Sequence, residues 1–341
     1  MKSQTKAYLH KLLTESGVCT LNQEERNEIE QSGIEAFVYA KLTTKKFRKF
    51  KMTDNSVAHT KQALQKQIAS NKPIQIVYPQ GGYKLWRFPS SPEADWAEFF
   101  NIAYVLEYLA PIAAAYKPGV VLTYYHHTLL MEIHGNLTKE EIAAYGISFD
   151  KVLQAFQQSL PENITVNILK DADLYSRDEY FAELEEQKSL VEKEYETYTD
   201  EQKEMLANMA KMNIKWDGNQ DWTKLSKSER EEKVYQASLY EKAATMLKKV
   251  GEKVKSPDNI LLFNKAAGNF IGIGTTKGSI AKYWVGYGVL RKKEQGFFPI
   301  ILTPKQYEEA IKQSAETINI KLLDGKNFSS IMVFESSFTI A

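Results

Sequence analysis

Cysteine is almost absent from this chain: Cys19 stands alone among 341 residues. An internal disulfide and a cysteine-ligated zinc site are thereby excluded, and a reducing compartment is the natural expectation. Cys19 itself, between Val18 and Thr20, reads as a small packed side chain. No stretch approaches about 18 uninterrupted apolar residues, so no membrane-spanning helix is expected. Residues 1–17 carry charge and amphipathic spacing without the apolar run of a signal peptide, which makes the cytoplasm the expected location. Charge of one sign is lacking too, with Lys and Arg at 44 against 43 Asp and Glu, a formal +1. No global field then steers the protein to nucleic acid or to an anionic membrane. There is no internal repeat, no low-complexity tract, no Gly-x-Ser-x-Gly elbow, and neither a Walker A nor a dinucleotide fingerprint.

What is present suits a folded chain with a large core, since 43% of the residues are apolar and 26% charged. Residues 1–70 read as a helical segment of the main domain: Tyr8, Leu9, Leu12 and Leu13 share a face, and Thr20 with Gln23 suggests a capping box. Within it, residues 41–51 are strongly basic with Phe47 and Phe50 interleaved. That pattern suits either a nucleic-acid contact or an element whose two rings face the core, and the flanking acids favour the second.

Residues 71–171 read as the first part of an α/β core. A short strand over 74–78 leads to an irregular loop, and Ser91, Pro92, Glu93 and Asp95 signal a helix start. That helix should run to about Tyr116 and stop at Lys117-Pro118-Gly119, with a possible break near Pro111. Residues 120–134 exceed a typical strand of about 5 to 6 residues, so a hairpin turning near His126-His127-Thr128 is predicted. Thr138 and Glu141 cap a helix to Tyr145, a further helix leaves Phe149, and a strand follows over 164–169.

Residues 172–255 read as a helical insertion. Residues 256–341 complete the core with strands at 260–263, 269–274, 282–290, 298–302, 318–323 and 330–334, and with a helix start at Thr303-Pro304-x-Gln306. The fold expected is therefore α/β, a Rossmann-like mixed sheet with helices on both faces and a helical insertion.

Three segments carry candidate chemistry. His126, His127 and His134 lie close together with Glu132, but adjacent residues of a strand point to opposite faces, and eight residues span about 26 Å. No joint zinc site is expected, whereas one histidine could act as acid, base or ligand donor. The run Gly272-Ile273-Gly274-Thr275-Thr276-Lys277-Gly278-Ser279 could offer N–H groups, hydroxyls and an ammonium to an anion, or form a plain hairpin turn. The loop 81–87 sets Lys84 and Arg87 beside Tyr83 and Trp86 just before a helix start. It suits a phosphate or carboxylate, or else a surface loop covering the sheet edge. If both loops bind one anion, they should converge at one edge of the sheet.

Several short motifs carry a family resemblance. Pro79 to Glu98 pairs a proline-bounded loop containing Lys84 with Pro92-Glu93-Ala94-Asp95-Trp96-Ala97-Glu98. Tyr116-Lys117-Pro118-Gly119 steps into the expected hairpin, and Ser256-Pro257-Asp258-Asn259-Ile260 enters a late strand. Together they resemble the isonitrile synthases, which convert an amino acid's amine to an isonitrile using a pentulose phosphate. The likeness covers residues 70–155 best and 230–275 faintly. This chain shows Tyr125-His126-His127 where the family typically has Ser-Asp-Gly, and Leu261 and Lys265 where it has Arg and His.

The resemblance implies an enzyme acting on an amino-acid amine with a sugar phosphate and no cofactor. Lys84, Arg87 and Lys277, with Thr275, Thr276 and Ser279, would hold phosphate or carboxylate. Glu98 would be a polar partner, and His126 or His127 would move protons. The rival from another class is a noncatalytic protein of the same fold that binds a small anionic ligand. Neither reading involves a membrane or nucleic acid, and both leave the oligomeric state open.

Overall fold

The run Ile74–Gln80 (strand β1) is buried throughout except at the half-buried Gln75 and Pro79, which suits a strand covered on both faces. In this computed structural model, which describes residues 1–80, 93–134, 138–211, 224–264, 268–294, 296–312 and 315–335, β1 is the centre of a five-stranded parallel sheet. It pairs with β2 (Val120–His126) on one side and β4 (Ile260–Phe263) on the other. Beyond them lie β3 (Ile164–Lys170) and β5 (Ile271–Gly272), giving the order β3-β2-β1-β4-β5. A second, four-stranded sheet contains β6 (Tyr287–Lys293), β7 (Gly296–Leu302), β8 (Ala315–Asn319) and β9 (Ser330–Phe334), in the order β7-β6-β9-β8. The α/β expectation holds, with one refinement. Mixed pairing is confined to the second sheet, where β6 runs parallel to β9 and antiparallel to β7.

Three helices precede β1: α1 (Lys2–Glu15), α2 (Gln23–Leu42) and α3 (Asp54–Ala69). The cap of α2 is Asn22 with Glu25, not Thr20 with Gln23. Helix α4 (Trp96–Ala115) connects β1 to β2 and is apolar nearly all round, the mark of a helix buried inside the molecule. It starts later than the sequence suggests, because Asp95 and Glu98 form the capping box. Ser91 and Pro92 lie outside the described residues. Pro111 sits within α4 without ending it. Gly119 turns the chain into β2 with φ +77, and a Cβ there would fall 1.8 Å from the Asn163 carbonyl oxygen.

The hairpin predicted over 120–134 does not form. β2 is held in parallel register by β1 and β3, so it cannot fold back on itself. After His126 the chain enters helix α5 (Thr128–His134). Helix α6 (Lys139–Gln157) then runs unbroken where two helices were expected. Between β3 and β4 every described element is helical: α7 (Asp171–Leu174), α8 (Arg177–Tyr195), α9 (Asp200–Lys211), α10 (Lys227–Ala244) and α11 (Lys248–Lys253).

Three late strands are also shorter or shifted, the one expected over 318–323 lying at Ala315–Asn319. The 269–274 run contributes only Ile271–Gly272, and of the 282–290 run only the portion from Tyr287 joins the sheet. Tyr283 packs instead against the β1 and β2 tyrosines, Tyr78 and Tyr124. Helix α12 (Pro304–Ile311) begins at the expected Thr303–Gln306 capping box. No helix among the described residues is long and apolar enough to cross a membrane.

Candidate functional site

The path of the chain locates a crevice before any side chain is considered. From β1 it moves through β2 to β3, then crosses to β4 on the opposite side of β1. In open parallel sheets the crevice at such a reversal, outside the carboxyl ends of the strands, is where ligands bind. Gln80 ends β1, and Asn264 follows β4 at this reversal. The register sets Gln80 beside His126 and His126 beside Lys170, so three polar strand ends form a row on one face.

Buried groups in this row lack hydrogen-bond partners. Both ring nitrogens of the fully buried His126 are without one among the described residues, as are Gln80 Nε2 and Asn264 Oδ1. Most buried polar atoms in folded proteins are paired, so this concentration singles out a place where a ligand could supply the missing bonds. Gln80 is held by its other end, its Oε1 accepting from the Tyr283 hydroxyl at 3.0 Å. Burial, then the charges of His127 and Lys170, push the His126 imidazole down to about 3. It stays neutral near pH 7, able to donate through one nitrogen and accept through the other.

Glu98 belongs to the wall behind this row. Its Oε2 accepts from the Asp95 backbone N–H at 2.8 Å, and its Oε1 accepts from the Tyr145 hydroxyl at 3.0 Å. The Tyr145 ring stands edge-on to His126, with centroids 5.4 Å apart. Glu98 is thus a helix cap that also fixes the ring against the histidine. His127 goes elsewhere, its ring packing on Tyr125 at 4.6 Å. Backbone placement puts His134 at the end of α5, and no group of three His, Cys, Asp or Glu among the described residues could hold a metal ion.

The 272–279 segment is a closed turn. Thr275 N and Thr276 N both donate to Ser279 O, Ser279 N donates to Thr276 O, and the Thr275 hydroxyl bonds Ser279 O at 3.1 Å. The Ser279 hydroxyl accepts from Ile301 N, and Lys277 is exposed. The N–H groups of Thr275, Thr276 and Ser279 are therefore already bonded within the turn, and the Thr276 hydroxyl is buried without a partner among the described residues. Lys84, Arg87 and Lys265 lie outside the described residues.

In the basic segment, Lys41 pairs with Glu25 at 2.7 Å and Lys46 with Glu107 at 3.1 Å, while Arg48 and Lys49 bond backbone carbonyls. Phe47 is buried against Tyr104 and Tyr108. Sequence reasoning missed Gln80 and Lys170. Their only signal is a polar residue closing a strand, which gains meaning once parallel register sets the ends side by side.

No protein-family model matches the chain, and no curated protein matches it in sequence. Among solved structures it resembles the crystal structure of the PvcA protein from Pseudomonas aeruginosa. The TM-score is 0.61 at 14% identity, over 88% of this chain and 99% of that one. At that identity the likeness is one of fold.

Proposed function

We propose that the protein is an isonitrile-synthase-like enzyme that binds an amino-acid amine and a sugar phosphate at the carboxyl ends of β1, β2 and β4. The observation that carries the reading is the row of buried polar groups without partners at Gln80, His126 and Asn264. The motif resemblance around Pro79–Glu98 and Tyr116–Gly119 adds the reaction class. His126, neutral near pH 7, orients substrate through hydrogen bonds. A ligand anion beside it would raise its proton affinity toward a working range. Lys84 and Arg87 remain the expected phosphate contacts of the loop that precedes α4.

A second reading is supported by Leu261, a buried core residue at a position where the resembling family has a charged one. With that side chain missing, the site would bind its ligand without turning it over. Incubation of the purified protein with single amino acids and a pentulose phosphate, read by mass spectrometry for an isonitrile product, separates the two. Product that disappears in a His126→Leu variant supports the enzyme. Saturable binding without product supports the binder, and neither binding nor product sinks both.

A further inference from the structure

Helix α6 carries a buried glycine, Gly146, in its interior, where helix propensity favours alanine. Its φ is not positive. A Cβ built there would lie 3.8 Å from Lys170 Cε, 3.9 Å from Lys170 Nζ and 4.0 Å from His126 Nδ1, all ordinary contact distances. Neither backbone conformation nor crowding by the surrounding chain requires glycine at this position. The two nearest polar atoms share a property. His126 has no partner on either nitrogen, and the Lys170 ammonium enters no ion pair among the described residues.

We infer that the space facing Gly146 is the seat of a ligand carboxylate, held by the Lys170 ammonium and the His126 imidazole and kept open by the missing Cβ. The inference rests on the strand-end row being the ligand site. It adds the residue that takes the anionic end and the one that limits its size. A carboxylate is planar and offers one oxygen to each nitrogen. A phosphate brings a charge of about −1.5 to −2 and three oxygens, more charge than one ammonium balances and more acceptors than these two nitrogens can serve. One cation and one neutral donor match the smaller, singly charged group.

Acetate and inorganic phosphate are the probes, titrated into the full-length protein while the His126 ring resonances are followed by NMR. Acetate should shift them saturably and bind more tightly than phosphate. Gly146→Ala and Lys170→Met should each weaken acetate by about tenfold or more. Gly146→Ala should melt no lower than wild type, as a helix-interior alanine predicts. Acetate affinity unchanged in both variants, or phosphate preferred over acetate, overturns the inference. If Gly146→Ala fails to fold, Lys170→Met at the half-exposed strand end decides alone.

Failure of this seat is distinguishable from failure of the proposed function. Variant-sensitive acetate binding without any isonitrile product leaves the seat standing and removes the enzyme. Product formed with unchanged KM in both variants removes the seat alone.

Discussion

Asp171 and His126 lie buried at the ends of neighbouring strands, and the protein treats them in opposite ways. The Asp171 carboxylate accepts from Thr128 N at 2.8 Å, Leu129 N at 2.9 Å, Ala172 N at 2.9 Å and the Thr128 hydroxyl. The ring of His126, the last residue of β2, has no hydrogen bond from the described residues. Burial moves both away from ordinary values, the Asp171 carboxyl up to about 6 despite its donors and His126 down to about 3. A buried polar group surrounded by partners is architecture, here the cap that starts α5. One without partners lowers stability, and its retention points to a role in binding.

The sharpest way to break this contrast is to remove the satisfied group. Asp171→Ala leaves the first N–H groups of α5 buried and unpaired, and should cost about 3 kcal/mol by denaturant unfolding near neutral pH. Asp171→Asn keeps an acceptor and should lose less. If both variants unfold like wild type, Asp171 does not hold α5 in place and the comparison collapses.

Replacing His126 should act in the opposite direction. Its folded value lies below its unfolded one, so the stability it contributes is present near pH 7 and lost as pH falls from about 6.5 toward 3. Asp171 has the reverse sign: its raised value makes the fold less stable as pH rises from about 4 through 6. Comparing wild type with His126→Leu cancels the Asp171 contribution. The variant should equal or exceed wild type near pH 7, because two unpaired polar atoms are gone. Between pH 7 and pH 4 it should lose about 3 kcal/mol less than wild type. Parallel stability curves for the two proteins would show that His126 is reached by water and is not an orphaned group.

Which of these features the sequence displays depends on how local their cause is. The caps at Thr138–Glu141 and Thr303–Gln306, and the helix stop at Gly119, each lie within a few residues and are readable directly. The β2–α5 boundary is not, because the group that caps α5 is Asp171, far along the chain beyond β3. Residues 120–134 by themselves look like two strands and a turn. The candidate site divides in the same way. His126 and Glu98 stand out by residue type, whereas Gln80 and Lys170 become site residues only through the parallel register of β1, β2 and β3. Gly146 carries no sequence signal beyond being a glycine within a helix.

The turn at 275–279 gives the smallest expected effect and tests the same rule on a second pair of regions. Composition marks it as an anion cradle, yet the N–H groups of Thr275, Thr276 and Ser279 close the turn on the Ser279 and Thr276 carbonyls. Lys277 points to solvent, and its carbonyl is tied to Lys49 Nζ at 2.9 Å. An exposed ammonium without a pre-organised set of donors contributes little to affinity, on the order of 0–1 kcal/mol for exposed ion pairs. Lys277→Ala should therefore change the affinity for acetate, or for a pentulose phosphate, by less than about threefold in calorimetric titration. Lys170→Met in the same assay should reduce acetate binding far more. A loss of tenfold or more in the Lys277 variant would mean that a ligand recruits the turn despite its internal bonds. In that case unsatisfied buried groups would no longer be sufficient to mark where this protein binds.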